Sequence, residues 1–228
     1  MSDLALVIGN TGSGKSTSIR TLDPSETFII NVAGKPLPFK GSKKKYTQLD
    51  PSKNEGNMLS TSSFLNINKV LNYIDKKRPE IKQVIIDDAG YTMAFEAMDK
   101  VQEKGYEKFT VLAQNFYLML KTASSLRDDL KVFIFGHEEN NGDPLNPKRK
   151  FKTSGKLVDS AIGVEGLCTY VFFAETVIGE DGKVEYKFLT QTDGSTTAKT
   201  PMGCFDEVYI DNDLALVVKA IDEYNDGE

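Results

Sequence analysis

Two apolar patterns alternate along this chain. Leu4–Ile8, Thr27–Val32, Ile81–Ile86 and Lys131–Phe135 are short, nearly unbroken apolar runs, as expected of strands buried on both faces of a sheet. Between them the spacing becomes helical. Phe64, Ile67, Leu71 and Ile74 recur on one face until Arg78-Pro79 stops the helix. Phe109, Leu112, Phe116, Met119, Leu120 and Ala123 mark a second long helix, and Leu214, Val217, Val218 and Ile221 a closing one. A further helix is expected from Lys15 to Leu22, ended by Asp23-Pro24. Thr169–Ala174 and Val184–Thr190 alternate like antiparallel strands, with Glu180-Asp181-Gly182 as their turn. Residues 33–62 read as loop with a short strand at Tyr46–Leu49, and 138–160 as a polar, basic loop. The expectation is one α/β domain over residues 1–228: a mainly parallel sheet sandwiched by helices, with a C-terminal antiparallel hairpin.

The first strand runs directly into Gly9-Asn10-Thr11-Gly12-Ser13-Gly14-Lys15-Ser16, followed by Thr17. This G-x-x-x-x-G-K-S pattern between a strand and a helix is the phosphate-binding loop of P-loop nucleoside triphosphatases. Its glycines let successive backbone N–H groups face phosphate oxygens, and the helix start adds positive potential. Lys15 is placed for the β- and γ-phosphates, and the Ser16 hydroxyl for Mg²⁺. The ligands expected are therefore ATP and Mg²⁺.

The run Gln83–Ile86 ends in Asp87-Asp88, and ligand sites in open parallel sheets lie outside such strand tips. Asp87 suits the second Mg²⁺ contact, and Asp88 the carboxylate that orients an attacking water. His137, the one histidine, ends the next strand. In an additional-strand ATPase that strand lies between the two nucleotide-binding strands, and His137 would sense the γ-phosphate. Glu138, Glu139 and Asp50 are alternatives to Asp88 as the base. Only Arg149 of the four arginines lies in a candidate catalytic loop, so Lys199, before Thr200-Pro201, is a candidate for neutralising transition-state charge.

Net charge changes the picture only locally. At −5 the chain does not present a surface that coats nucleic acid wholesale, yet Lys148, Arg149, Lys150, Lys152 and Lys156 surround Phe151. Cations with an interleaved ring suit single-stranded DNA, the charges for phosphates and the ring for base stacking. Lys43-Lys44-Lys45 is a shorter cluster, read as solvated. Two cysteines, Cys168 and Cys204, are too few for a disulfide framework and suit a reducing cytoplasm. No leader and no membrane-length apolar window is found, so no membrane partner is expected.

In this order, the phosphate loop, Asp-Asp strand, Gly-His strand tip, basic loop and late Ala-Lys-Thr-Pro resemble the RecA-like core of bacteriophage-encoded ATPases of the single-strand-annealing and recombination type. The segment Ile29–Gly41 looks similar to that group as well. The resemblance implies ATP binding, single-stranded DNA binding, annealing or strand pairing, and a homo-oligomeric ring or filament with ATP at subunit junctions. It implies that Lys15, Ser16 and Asp87 bind nucleotide and Mg²⁺ and that His137 is the polar switch residue. It also implies that residues 138–156 form a DNA-binding loop and that Lys199 reaches a neighbouring subunit's ATP. The chain departs from RecA in lacking a matching catalytic glutamate and the flanking domains. The expected function is a DNA-dependent ATPase of phage recombination in the host bacterial cytoplasm. The alternatives are a nucleotide-gated binding protein with little turnover, partnered by a single-strand-binding protein, and a small-molecule or nucleotide kinase.

Overall fold

The computed structural model describes residues 1–103, 105, 107–143, 145–154 and 163–227. Its centre is a mixed eight-stranded sheet. The strands β1 (Asp3–Ile8), β2 (Thr27–Asn31), β3 (Met58–Ser60), β4 (Gln83–Asp87) and β5 (Lys131–Gly136) are mutually parallel. β6 (Glu138–Asn140) and β7 (Arg149–Phe151) form a separate antiparallel pair. β8 (Tyr170–Ile178) joins the free side of β1 in parallel. β9 (Val184–Leu189) and β10 (Tyr209–Asp211) then add antiparallel to that edge. The spatial order is β10-β9-β8-β1-β5-β4-β2-β3, so β5 lies between β1 and β4, the additional-strand arrangement.

The apolar runs form central strands because both faces are covered. Leu4, Leu6 and Ile8 of β1 enter the core formed with α2 (Phe64–Lys77) and α4 (Glu107–Ser124), whereas Ala5 and Val7 enter the opposite core. That second layer holds the 3-10 helix Ser16–Thr21 and α5 (Leu214–Asp226). The ends of α5 are capped locally. Asp213 accepts from the backbone N–H groups of Ala215 and Leu216, and Gly227 takes a left-handed φ of 77° after the last turn.

Several elements differ from the expectation. The segment expected as a helix over Lys15–Leu22 is a 3-10 helix, tightened by hydroxyls that bond backward: Ser18 Oγ donates to Lys15 O and Thr21 Oγ1 to Ser18 O. Tyr46–Leu49 is not a strand. Tyr46 follows the short helix α1 (Ser42–Lys45), its ring is buried edge-on against Phe39, and only Gln48 bridges to β3. Helix α3 (Gly90–Asp99) had no periodic signal because it buries only Thr92 and Met93. The segment 138–160, expected as loop, contains the β6–β7 pair.

This pair overturns the assignment of Phe151 as a base-stacking ring. Phe151 is 1% exposed and stacks on Phe116 with ring centroids 6.0 Å apart. Its ring also lies where a Cβ on Gly136 would sit, 2.0 Å away, so the strand tip needs glycine to admit it. Burial of a large ring outweighs its use in solvent. Phe151→Ala is expected to lower stability by about 3–5 kcal/mol in urea unfolding, as for other buried rings. An exposed stacking ring would leave the unfolding midpoint nearly unchanged.

Candidate functional site

Parallel strands deliver their tips to one edge, and the sequence-expected nucleotide residues meet there. β1 leads into Gly9, beside Gly136 at the end of β5, whose O accepts from Gly9 N at 3.2 Å. Asp87 ends β4 in register with Asn31 of β2. Gly12 and Gly14 take φ of 83° and 93°, a region that side chains disfavour. A Cβ at Gly14 would also come within 2.9 Å of a Tyr186 ring carbon. Lys15, only 6% exposed, folds back into the loop and donates to Gly9 O at 2.7 Å and Asn10 O at 2.8 Å. The carbonyls it caps are those of the loop itself, so an arriving phosphate would exchange for them.

Ser16 Oγ donates to Asp87 Oδ1 at 2.8 Å, linking the end of the phosphate loop to the tip of β4. One hydroxyl and one carboxylate, with phosphate oxygens and waters, form the donor set that Mg²⁺ takes in such sites. Among the described residues no group of three or more His, Cys, Asp or Glu could hold a metal without a ligand's help. Burial pushes Asp87 up to about 6, with the neighbouring Asp88 charge adding to it and the Ser16 hydrogen bond opposing it.

Asp88 holds a left-handed backbone, φ 60°, that turns the chain out of β4. The turn lets Ala89 N donate to Phe135 O at 2.8 Å on β5. Asp88 is buried, and Lys35 Nζ lies 2.7 Å from its Oδ2. His137 Nε2 is 3.5 Å from Asp88 Oδ1, too long for a good hydrogen bond, and it has no hydrogen-bond partner among the described residues. Burial, with Lys15 and Lys35 adding to it, holds His137 below its ordinary value, so the ring is neutral at pH 7 and forms no ion pair with Asp88. Burial likewise lowers Lys15, against the opposing pull of Asp88 and Asp87.

The β6–β7 pair is tied to the phosphate loop. Asn10 Nδ2 donates to Glu138 Oε1 at 2.6 Å, and Arg149 lies 3.7 Å from Glu138 and 2.5 Å from Glu175. Lys150 pairs with Glu139 at 3.3 Å, and Lys148 Nζ donates to Gly194 O at 2.7 Å. Arg149 and Lys150 therefore neutralise acids of their own sheet edge. Lys152 is exposed and lines a cleft of about 340 Å³ with Asn10, Thr11, Tyr91 and His137. Lys156 lies outside the described residues. Lys199 stands apart from the loop, its backbone paired with Val171 within β8. Asp50 is also remote, in the turn bridged to Glu55.

Tyr91 and Asn212 carry no sequence signal of their own, and Lys35 has only its place in the Ile29–Gly41 segment. Tyr91 meets His137 edge-on at 5.6 Å and stacks on Phe95 at 5.3 Å. Asn212, 2% exposed, lies against Gly14 with neither amide atom hydrogen-bonded among the described residues. The only available hint is their position just past strand ends. Comparison of the chain with protein-family models and with curated proteins finds no match.

The Asp87 shift has a defined sign. Its folded value, about 6, lies above the ordinary 3.8, so the folded protein holds this proton more tightly than the unfolded chain. Stability should fall as pH rises through that window and then level off. Asp87→Asn should flatten the slope and raise stability at pH 7 by about 3 kcal/mol, read from melting curves across pH in the absence of divalent cations.

Proposed function

We propose that the chain is a RecA-like P-loop ATPase that couples Mg-ATP to single-stranded DNA. The observation that carries the reading is the Ser16–Asp87 hydrogen bond, which joins a complete phosphate loop to an acid on a strand two positions away. The interposed β5, with His137 directly after it, supports the RecA-like form of the reading. Ser16 and Asp87 would hold Mg²⁺, which would supply neutralisation of phosphate charge.

The residues then divide the work. The loop's N–H groups and Lys15 hold the β- and γ-phosphates. Asp88 orients the attacking water and takes its proton. The water oxygen bonds to the γ-phosphorus, and the bond from that phosphorus to the bridging oxygen breaks, its electron pair leaving on ADP. Neutral His137 offers a hydrogen bond at the edge of this space, at the head of the segment that leads into β6. The link from Asn10 to Glu138 gives the loop a direct connection to the pair that carries Lys148 and Lys152. A kinase would need cations free to gather an acceptor's phosphates. Instead, Arg20 is held by the Thr17 and Asn212 carbonyls and Arg149 by Glu138 and Glu175.

Titration calorimetry should detect Mg-ATP binding to the wild type and none to Lys15→Ala, with unchanged circular dichroism. ATP turnover should rise when single-stranded oligonucleotide is added; no rise, together with no DNA binding at low salt, removes the DNA half of the proposal. Replacing Lys148 and Lys152 with Ala should weaken oligonucleotide binding and lower the slope of log affinity against log salt by about one unit for every DNA phosphate left without its lysine. An unchanged slope would move the DNA contact elsewhere on the surface.

A further inference from the structure

Transferring a γ-phosphoryl group spreads negative charge over its outer oxygens, and a cation beside it is a recurring answer. Each arginine of this chain is engaged elsewhere. Arg20 donates to Thr17 O and Asn212 O, and Arg149 is fixed between Glu138 and Glu175. Arg78 pairs with Glu80 and donates to Gly56 O, while Arg127 holds the carbonyls of Ile74, Asp75 and Arg78. Lys15 belongs to the phosphate loop, and Lys199 lies along β8.

Lys35 is differently placed. β2 is in register with β4, and Val32 N donates to Asp87 O at 3.2 Å, so the chain leaving β2 passes directly over the acidic tip. Gly34 turns it with a φ of 66°, and Asn31 Nδ2 fixes the Lys35 carbonyl at 2.7 Å. These anchors hold the Lys35 backbone while its side chain stays 64% exposed. Its ammonium caps Asp88, which is itself only 6% exposed, and lies 5.9 Å from the centre of the Tyr91 ring. The exposed stem leaves the ammonium able to swing from Asp88 to a more highly charged group while its backbone stays anchored.

Building on the nucleotide reading above, we propose that Lys35 is a catalytic residue whose ammonium passes from Asp88 to the γ-phosphoryl oxygens as the triphosphate binds. The transfer does two things at once. It brings positive charge to the transferring group from within the same chain, and it releases Asp88 Oδ2 to hold the attacking water. While the ammonium stays on Asp88, the same pair masks the acid.

The test compares wild type, Lys35→Ala and Lys35→Arg, each first checked by thermal melting. Three quantities are measured: Mg-ATP affinity, the single-turnover hydrolysis rate, and the affinity for Mg-ADP with aluminium fluoride, a mimic of the transferring phosphoryl group. For Lys35→Ala, hydrolysis should slow about 100- to 1,000-fold and affinity for the mimic should fall in parallel, as when a single transition-state donor is removed. Mg-ATP affinity should change less than about 3-fold, the signature of an interaction made mainly in the transition state. Lys35→Arg should recover much of the rate, which a cation serving only to neutralise Asp88 in the resting fold would not require. Rate and mimic affinity within about 3-fold of wild type in Lys35→Ala would overturn the proposal. So would a wild type that binds Mg-ATP yet neither turns over nor prefers the mimic to ADP alone, and that result would leave the nucleotide reading standing. A wild type that binds no nucleotide removes both.

Discussion

Parallel hydrogen bonding imposes one constraint from which the site's geometry follows: strands running in one direction must end on one edge. β1, β5, β4 and β2 pair in close register, with Ile8 opposite Gly136, Ile86 opposite Ile134 and Asn31 opposite Asp87. Gly9, His137, Asp87, Asp88 and the Lys35 loop therefore converge although they are spread over more than half of the sequence. An antiparallel neighbour in place of β5 would end at the opposite edge and take His137 away from the acids. Burial on both faces fixes this register, since a shift by one residue would exchange the side chains of the two cores.

Convergence creates an electrostatic problem. Two adjacent carboxylates, both largely buried, repel each other, and neither has the neutral His137 as a counter-ion. Hydrogen bonding from Ser16 offsets part of the cost at Asp87, and the Lys35 ammonium offsets part at Asp88. Lys15 is equally confined, its ammonium donating to carbonyls of its own loop. Charges of both signs are thus held close together, the Lys15 ammonium on the loop carbonyls and the acids on Ser16 and Lys35. A polyphosphate with its divalent cation is complementary to both sets.

The legible part of the fold was the part with uninterrupted patterning. The central strands were evident because two-sided burial removes polar residues from them, and α2, α4 and α5 because a single buried face leaves a periodic stripe. α3 was not evident, because a helix that buries two side chains near its start leaves no stripe. β6 and β7 were hidden by charge: Lys150 lies opposite Glu139, Arg149, opposite Asn140, reaches diagonally toward Glu138, and mutual neutralisation looks like solvation when each strand is read alone. Phe151 was misjudged for the same reason. Within the site, the glycine loop, Ser16 and Asp87 were legible from fixed spacing. The pairing of Lys35 with Asp88 was not, since it depends on the adjacency of β2 and β4, which no local spacing encodes.

The left-handed turn at Asp88 has a consequence for side-chain length. Among residues with a Cβ, that backbone geometry is best tolerated by short polar side chains such as Asp and Asn. A glutamate here would carry a longer arm on a backbone that disfavours it and would push its carboxylate toward the Lys35 loop. A short side chain therefore suits the bend that leads from the sheet into α3. Side-chain length here is thus limited by the corner the chain must turn, a constraint that acts before any ligand arrives.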